Sequence, residues 1–244
     1  MAISERKRRE YLTRTLSGLI LAAVVIPAYF VQGGTYLYWV LRFGFVMSYI
    51  ELCAMIYTGN SPAGMKPLVV VAGITLTWAI FFALLICYLK LDELPVELIG
   101  GCIFTCVMTD VVAYFAGHKF GGQLFTKHSH PFPKISPNKT TEGFLFGLLG
   151  GVIFAFLWFL FVRGSDKPVP FWRLLVAVPT GMVGDLLESA LKRFYGAKDA
   201  NDALINKPVL GLLEKPLGGR NGHGGYFDRL DSLVLALLVQ SLIS

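Results

Sequence analysis

Carboxylates and cations crowd into two short stretches of a chain that is otherwise strongly apolar. In the second of them, Asp185, Glu188, Ser189 and Lys192 stand at i, i+3, i+4 and i+7, so a helix there presents two acids, a hydroxyl and a cation on one face. Arg193 follows directly, then Lys198-Asp199, a glycine-rich piece ending in His223-Gly224-Gly225, and Asp228-Arg229-Leu230-Asp231 at the start of the last apolar run. Glycines around His223 allow backbone N–H groups to approach an anion. Capping of a helix N-terminus explains one of Asp228 and Asp231. It does not explain a second pair of acids, Asp185 and Glu188, at the end of another apolar run. Hard carboxylate oxygens from two helices beside lysines and arginines are what a Mg²⁺–nucleotide site requires, because Mg²⁺ takes few protein ligands and completes its octahedron with phosphates and water.

The first stretch runs from Asp110 to Glu142. Asp110, Tyr114 and His118 recur every four residues and share a helix face. An ionisable residue inside an apolar run is itself a functional signal, since exposing it to lipid costs a few kcal/mol on insertion scales. Beyond it, Pro133-Lys134-Ile135-Ser136-Pro137-Asn138-Lys139-Thr140-Thr141-Glu142-Gly143 packs lysines, hydroxyls and turn residues together. That composition suits a phosphate cradle, and equally a solvated basic loop against anionic headgroups. His128 and His130 form an isolated pair that reads as surface rather than as metal ligands.

The elements that position these residues are dictated by the rest of the chain. Of 244 residues 55% are apolar and only 16% charged, with a mean hydropathy of +0.60. Runs long enough to cross a bilayer core, about 20 helical residues, recur throughout. Seven are expected: Thr15–Val31, Thr35–Tyr57, Pro67–Leu89, Glu97–Gly117, Phe144–Val162, Phe171–Leu187 and Leu230–Ile243. Each is continuously apolar rather than alternating, so each is a helix that satisfies its own backbone. The fold class is therefore all-α and polytopic. A cleaved signal peptide is the lesser reading of the first run, which lacks a small-x-small cleavage site.

With an odd number of spans and the N-terminus inside, 17 of the 22 Lys and Arg residues face the cytoplasm. This arrangement puts both polar stretches on the cytoplasmic side. The net charge of +6 is thus a topology signal and not a nucleic-acid footprint. The four cysteines all fall within the runs and read as ordinary buried thiols. The expected organisation is a basic segment at 1–14, N-terminal transmembrane helices over 15–109, and a catalytic membrane domain over 110–244 with cytoplasmic loops at 117–143 and 188–229.

The motifs resemble those of the phosphatidate cytidylyltransferases, the CDP-diacylglycerol synthases. The family pattern Ser-x-x-Lys-Arg, Lys-Asp, His-Gly-Gly-x-x-Asp-Arg-x-Asp is matched here by Ser189, Lys192-Arg193, Lys198-Asp199, His223-Gly224-Gly225, Asp228-Arg229 and Asp231. Asp110 to Gly117 and Pro133 to Gly143 also look like the family. The resemblance implies transfer of CMP from CTP to phosphatidate in phospholipid biosynthesis at the cell's inner (cytoplasmic) membrane, by a homodimer. It implies Mg²⁺ on Asp185 and Asp228, with Asp231 and a monovalent cation such as K⁺ close by. Lys192, Arg193, Lys198 and Arg229 would hold the triphosphate or the lipid phosphate, with Asp199 in the same motif. Lys134, Ser136, Lys139 and Thr140 would complete the cradle, with Asp110, Tyr114, Glu142, Ser189, His223, Gly224 and Gly225 around the substrates.

One departure is an inserted piece, Ala200 to Gly222, in the middle of the pattern. It leaves open a related CTP-dependent lipid enzyme, similar to a CDP-archaeol synthase or a polyprenol kinase, and, from another class, an ion-binding transporter or scaffold.

Overall fold

In a computed structural model the chain is described at residues 22–58, 65–124, 130–137, 139–197 and 225–244, and every regular element among them is helical. After α1, whose described part covers 22–30, come α2 (Thr35–Thr58), α3 (Pro67–Lys90), α4 (Val96–Phe120), α5 (Thr141–Val162), α6 (Phe171–Phe194) and α7 (Phe227–Leu242). Each expected apolar run holds one of these helices. Five stretches are long and apolar enough to cross a membrane, namely Ala22–Thr58, Pro67–Glu93, Val96–Phe120, Thr141–Val162 and Phe171–Phe194. The count falls short of seven because α1 continues into α2 across a short 3₁₀ turn and α7 has only 16 residues.

Local chemistry sets the boundaries. Gln32 and Gly33 take left-handed dihedrals between α1 and α2, where the axis breaks. Pro67 opens α3 and Pro95 precedes α4, positions at which a missing N–H costs no helical bond. Thr140 caps α5 by accepting the Gly143 N–H at 3.1 Å. Pro179 lies inside α6, and next to it the Thr180 hydroxyl donates to the Val176 carbonyl at 2.7 Å. Local hydroxyl bonds of this kind are how apolar helices tolerate proline.

The described residues fall into two compact units. One comprises those up to Phe81 together with those between Lys192 and Leu230; the other comprises Phe82–Leu191 and Asp231–Ser244. In the first, Leu37, Phe45, Leu52, Met55 and Phe227 are buried. The second is centred on Leu98, Ile99, Cys102, Leu174, Ala177 and Leu237, all without solvent contact. Cys87, Cys102 and Cys106 are buried free thiols, whereas Cys53 is exposed on α2, contrary to its expected burial.

Within the second unit α4 and α5 meet through a glycine face. A Cβ on Gly147 would lie 2.8 Å from the Ala113 Cβ and 3.2 Å from the Thr109 carbonyl oxygen, and one on Gly150 would be 2.8 Å from Val112. Small residues at this spacing let helix backbones approach where lipid supplies no hydrophobic drive. The other side of α5 exposes Leu149, Ile153, Phe156 and Leu160, as a lipid-facing surface requires. Gly147→Val is expected to destabilise the protein by about 1–3 kcal/mol through overpacking, read as a lowered thermal midpoint in detergent. An unchanged midpoint would contradict the close approach of α4 and α5.

Candidate metal and phosphate site

The acids expected on α6 come together with one from α7. Ligand oxygens of Asp185, Glu188 and Asp231 all lie within 4.8 Å of one another, a spacing at which one cation can bridge them. The approach depends on glycine: a Cβ at Gly184 would lie 2.5 Å from the Asp231 carbonyl oxygen and 3.2 Å from the Ser232 Cα. Glu188 is buried, while Asp185 and Asp231 are half-buried. The Ser232 N–H donates to Asp231 Oδ1 at 2.6 Å, and the Ser232 hydroxyl lies 3.2 Å from that oxygen and 3.4 Å from Asp110 Oδ2. Ser232 thereby links the α4 acid to the α7 acid. The Lys139 ammonium donates to Asp185 Oδ2, so a cation from the Pro133–Gly143 loop already sits on this group.

The loop that carries Lys139 is tied down by its own chemistry. The Ser136 N–H donates to the Phe132 carbonyl at 2.9 Å, and His130 Nδ1 lies 3.1 Å from the Lys139 carbonyl oxygen. Glu142 is fully buried and accepts the Gly122 N–H at 2.9 Å, which fastens the turn after α4 to the start of α5. Its position is that of a loop anchor. Lys134 is exposed, Ser136 and Thr140 are half-buried, and Tyr114 stacks parallel to His118 along the exposed face of α4. Ser189 is half-buried on α6.

In the first unit, the Lys192 ammonium meets Asp228 Oδ1 at 2.5 Å, with side-chain exposures of 12% and 11%. Asp228 Oδ2 accepts the Gly225 N–H at 2.7 Å, so both oxygens of this carboxylate are engaged. Arg193 is exposed and donates to the Ala197 carbonyl at 3.4 Å; Arg229 is half-buried. Lys198, Asp199, His223, Gly224, His128 and the Ala200–Gly222 insertion lie outside the described residues.

Two acids carry more structure than their place in the motifs implied. Glu188, paired with Asp185 in the sequence but given no ligand role by the resemblance, belongs to the carboxylate group. Glu51 of α2, unremarked among the apolar residues, accepts the Tyr226 and Phe227 N–H groups. The signal was available in the sequence: Glu51 is an ionisable residue inside an apolar run, the criterion that singled out Asp110.

These groups define a polytopic helical membrane protein with a three-carboxylate group in one unit and, in each unit, a lysine set on an acid at a polar helix end. The chain belongs to the Cytidylyltransferase family, whose model matches residues 2–206. It is similar to the phosphatidate cytidylyltransferase of Bacillus subtilis (strain 168), with 34% identity over 141 residues, covering 55% of this chain and 43% of the relative. The protein of that name from Thermotoga maritima is 35% identical over 140 residues, covering 55% and 44%. The one from Aquifex aeolicus is 33% identical over 169 residues, covering 68% and 55%. The chain spans about half the length of the curated relatives it matches. No solved structure was found to match it.

The donor set fits Mg²⁺: three hard carboxylates, and an ammonium already seated on one of them as a cation. Mg²⁺ at a hundredfold excess over its dissociation constant is expected to stabilise the folded protein by about 2.7 kcal/mol. A raised thermal midpoint checks this. Glu188→Gln is expected to shrink the rise, and an equal rise in that variant would remove Glu188 from the metal set.

Proposed function

We propose that this chain is a CTP:phosphatidate cytidylyltransferase that makes CDP-diacylglycerol and pyrophosphate. The observation that carries the reading is the grouping of Asp185, Glu188 and Asp231 with Lys139 on Asp185, in a membrane protein of the Cytidylyltransferase family. The names of the relatives support the choice of phosphatidate as acceptor.

A phosphate oxygen of phosphatidate attacks the α-phosphorus of CTP, and the bond from that phosphorus to the oxygen bridging to the β-phosphate breaks as pyrophosphate leaves. The attacking phosphate is already ionised near neutral pH, so no strong general base and no covalent enzyme intermediate are required. Asp185, Glu188 and Asp231 would hold Mg²⁺, which supplies charge neutralisation on the phosphoryl oxygens. Lys139, tied to Asp185, is placed to exchange a carboxylate for a phosphate oxygen. Lys192, Arg193 and Arg229 are assigned to phosphates, and Asp228 to holding Lys192 and to cation binding. Positioning and charge neutralisation are the whole of the catalysis proposed.

Inward orientation of the polar helix ends lets a water-soluble nucleotide meet a lipid that keeps its acyl chains in the bilayer. The distribution of Lys and Arg supports a cytoplasmic site in the inner membrane. Purified protein given CTP, Mg²⁺ and phosphatidate should release pyrophosphate and CDP-diacylglycerol in equal amounts. Formation of CDP with a phosphorylated lipid instead would mark a kinase and overturn the reading.

A further inference from the structure

Glu51 is the seventeenth residue of an apolar helix of 24, and it is fully buried. An acid in such a place is expensive unless its oxygens are engaged. Both are: Oε1 accepts the Tyr226 N–H and Oε2 the Phe227 N–H, each at 2.8 Å. Those donors belong to the start of α7, where a helix leaves its first N–H groups without intrahelical partners and where negative charge is favoured. A carboxylate far away in sequence thus supplies the cap of α7.

The same carboxylate accounts for a glycine. A Cβ on Gly225 would collide with the Glu51 carboxylate group, so only glycine lets the chain pass this close. Gly225 in turn donates its N–H to Asp228 Oδ2, while Asp228 Oδ1 receives Lys192. Two further α2 residues seat the turn: Phe43 packs edge-on against the Tyr226 ring with centroids 5.6 Å apart, and Gly44 leaves room for the Leu230 side chain. The path from Glu51 to the functional pair is therefore short and continuous. Glu51 fixes the backbone of residues 225–227, that backbone fixes Asp228, and Asp228 fixes Lys192.

We propose that Glu51 is a positioning residue for the Gly225–Asp228 turn, acting through Asp228 and Lys192 and not by touching substrate. The inference rests on the cytidylyltransferase reading for its kinetic readout alone. Glu51→Gln keeps the shape but turns an amide NH₂ toward one of the two backbone donors. It is expected to lower kcat about 10- to 100-fold, the range for groups that orient a functional side chain from behind, while KM for CTP stays within about twofold. Hydrogen exchange of the peptide covering residues 225–230 should accelerate in the same variant.

Wild-type kcat together with unchanged exchange at 225–230 would overturn the proposal. So would a rise in KM with kcat untouched, because that would place Glu51 in ground-state binding. Should Glu51→Gln fail to fold, Gly225→Ala addresses the same contact from the other side without removing the buried charge. It is expected to show the same fall in kcat in a folded protein, and wild-type turnover in that variant would overturn the proposal. If the wild-type protein makes no CDP-lipid at all, the functional reading falls alone. Exchange then decides: faster exchange at 225–230 in Glu51→Gln sustains the positioning role, and unchanged exchange removes it.

Discussion

Asp185→Asn is expected to lower CTP-dependent CDP-lipid formation by about a thousandfold while leaving the protein folded in the membrane. The substitution preserves the shape of the side chain and one acceptor for Lys139, but removes the charge from the carboxylate group shared with Glu188 and Asp231. Metal-borne charge stabilisation of a phosphoryl-transfer transition state is worth several kcal/mol, and each 1.36 kcal/mol is about tenfold in rate. Folding is expected to survive because the Lys139 side chain keeps 31% of its surface exposed and can be solvated when its partner is neutral. Turnover at saturating CTP, compared with the thermal midpoint of the same preparation, separates the two effects. Near-normal turnover would remove Asp185 from the site.

The second large effect concerns stability. Lys192 and Asp228 are almost completely covered, and removing one member of a buried pair strands the other, at a cost of about 3–5 kcal/mol. Lys192→Met is therefore expected to lower the thermal midpoint strongly. The double variant Lys192→Met with Asp228→Leu is expected to recover much of that loss, because replacing both charges by apolar groups of similar size is often neutral. It is not expected to recover turnover, since the cation assigned to phosphate is gone. Stability restored without activity would separate the structural part of the pair from its chemical part. A double variant as unstable as the single one would show that the ion pair is not the source of the loss.

Much of the fold was legible because lipid imposes a simple code. A continuous apolar run must be helical, and all seven runs hold helices among the described residues. Hydropathy alone stops short of the polar ends: α4 continues to Phe120 and α6 to Phe194, beyond the apolar limits at Gly117 and Leu187, as the helical spacing of Asp110, Tyr114 and His118 and of Asp185, Glu188 and Lys192 requires. The carboxylate face of α6 was visible in its spacing, which is a local property. Pairings across the chain were not. Lys139 and Asp185 are 46 residues apart, and Glu51 and Tyr226 are 175 apart, distances at which no periodicity carries information. Glu142, which the resemblance sets around the substrates, has a partner that no periodicity reveals: its buried Oε1 accepts the Gly122 N–H from 20 residues away.

A cytidylyltransferase moves the α-phosphorus of CTP to a lipid phosphate, whereas a kinase moves the γ-phosphorus. Parallel reactions with CTP labelled at the α- or the γ-phosphorus, using purified protein, Mg²⁺ and phosphatidate, distinguish the two. The α label is expected in the lipid fraction and the γ label in pyrophosphate, with both products formed about a thousandfold more slowly in Asp185→Asn. Appearance of the γ label in lipid, or of neither label there, would contradict the account.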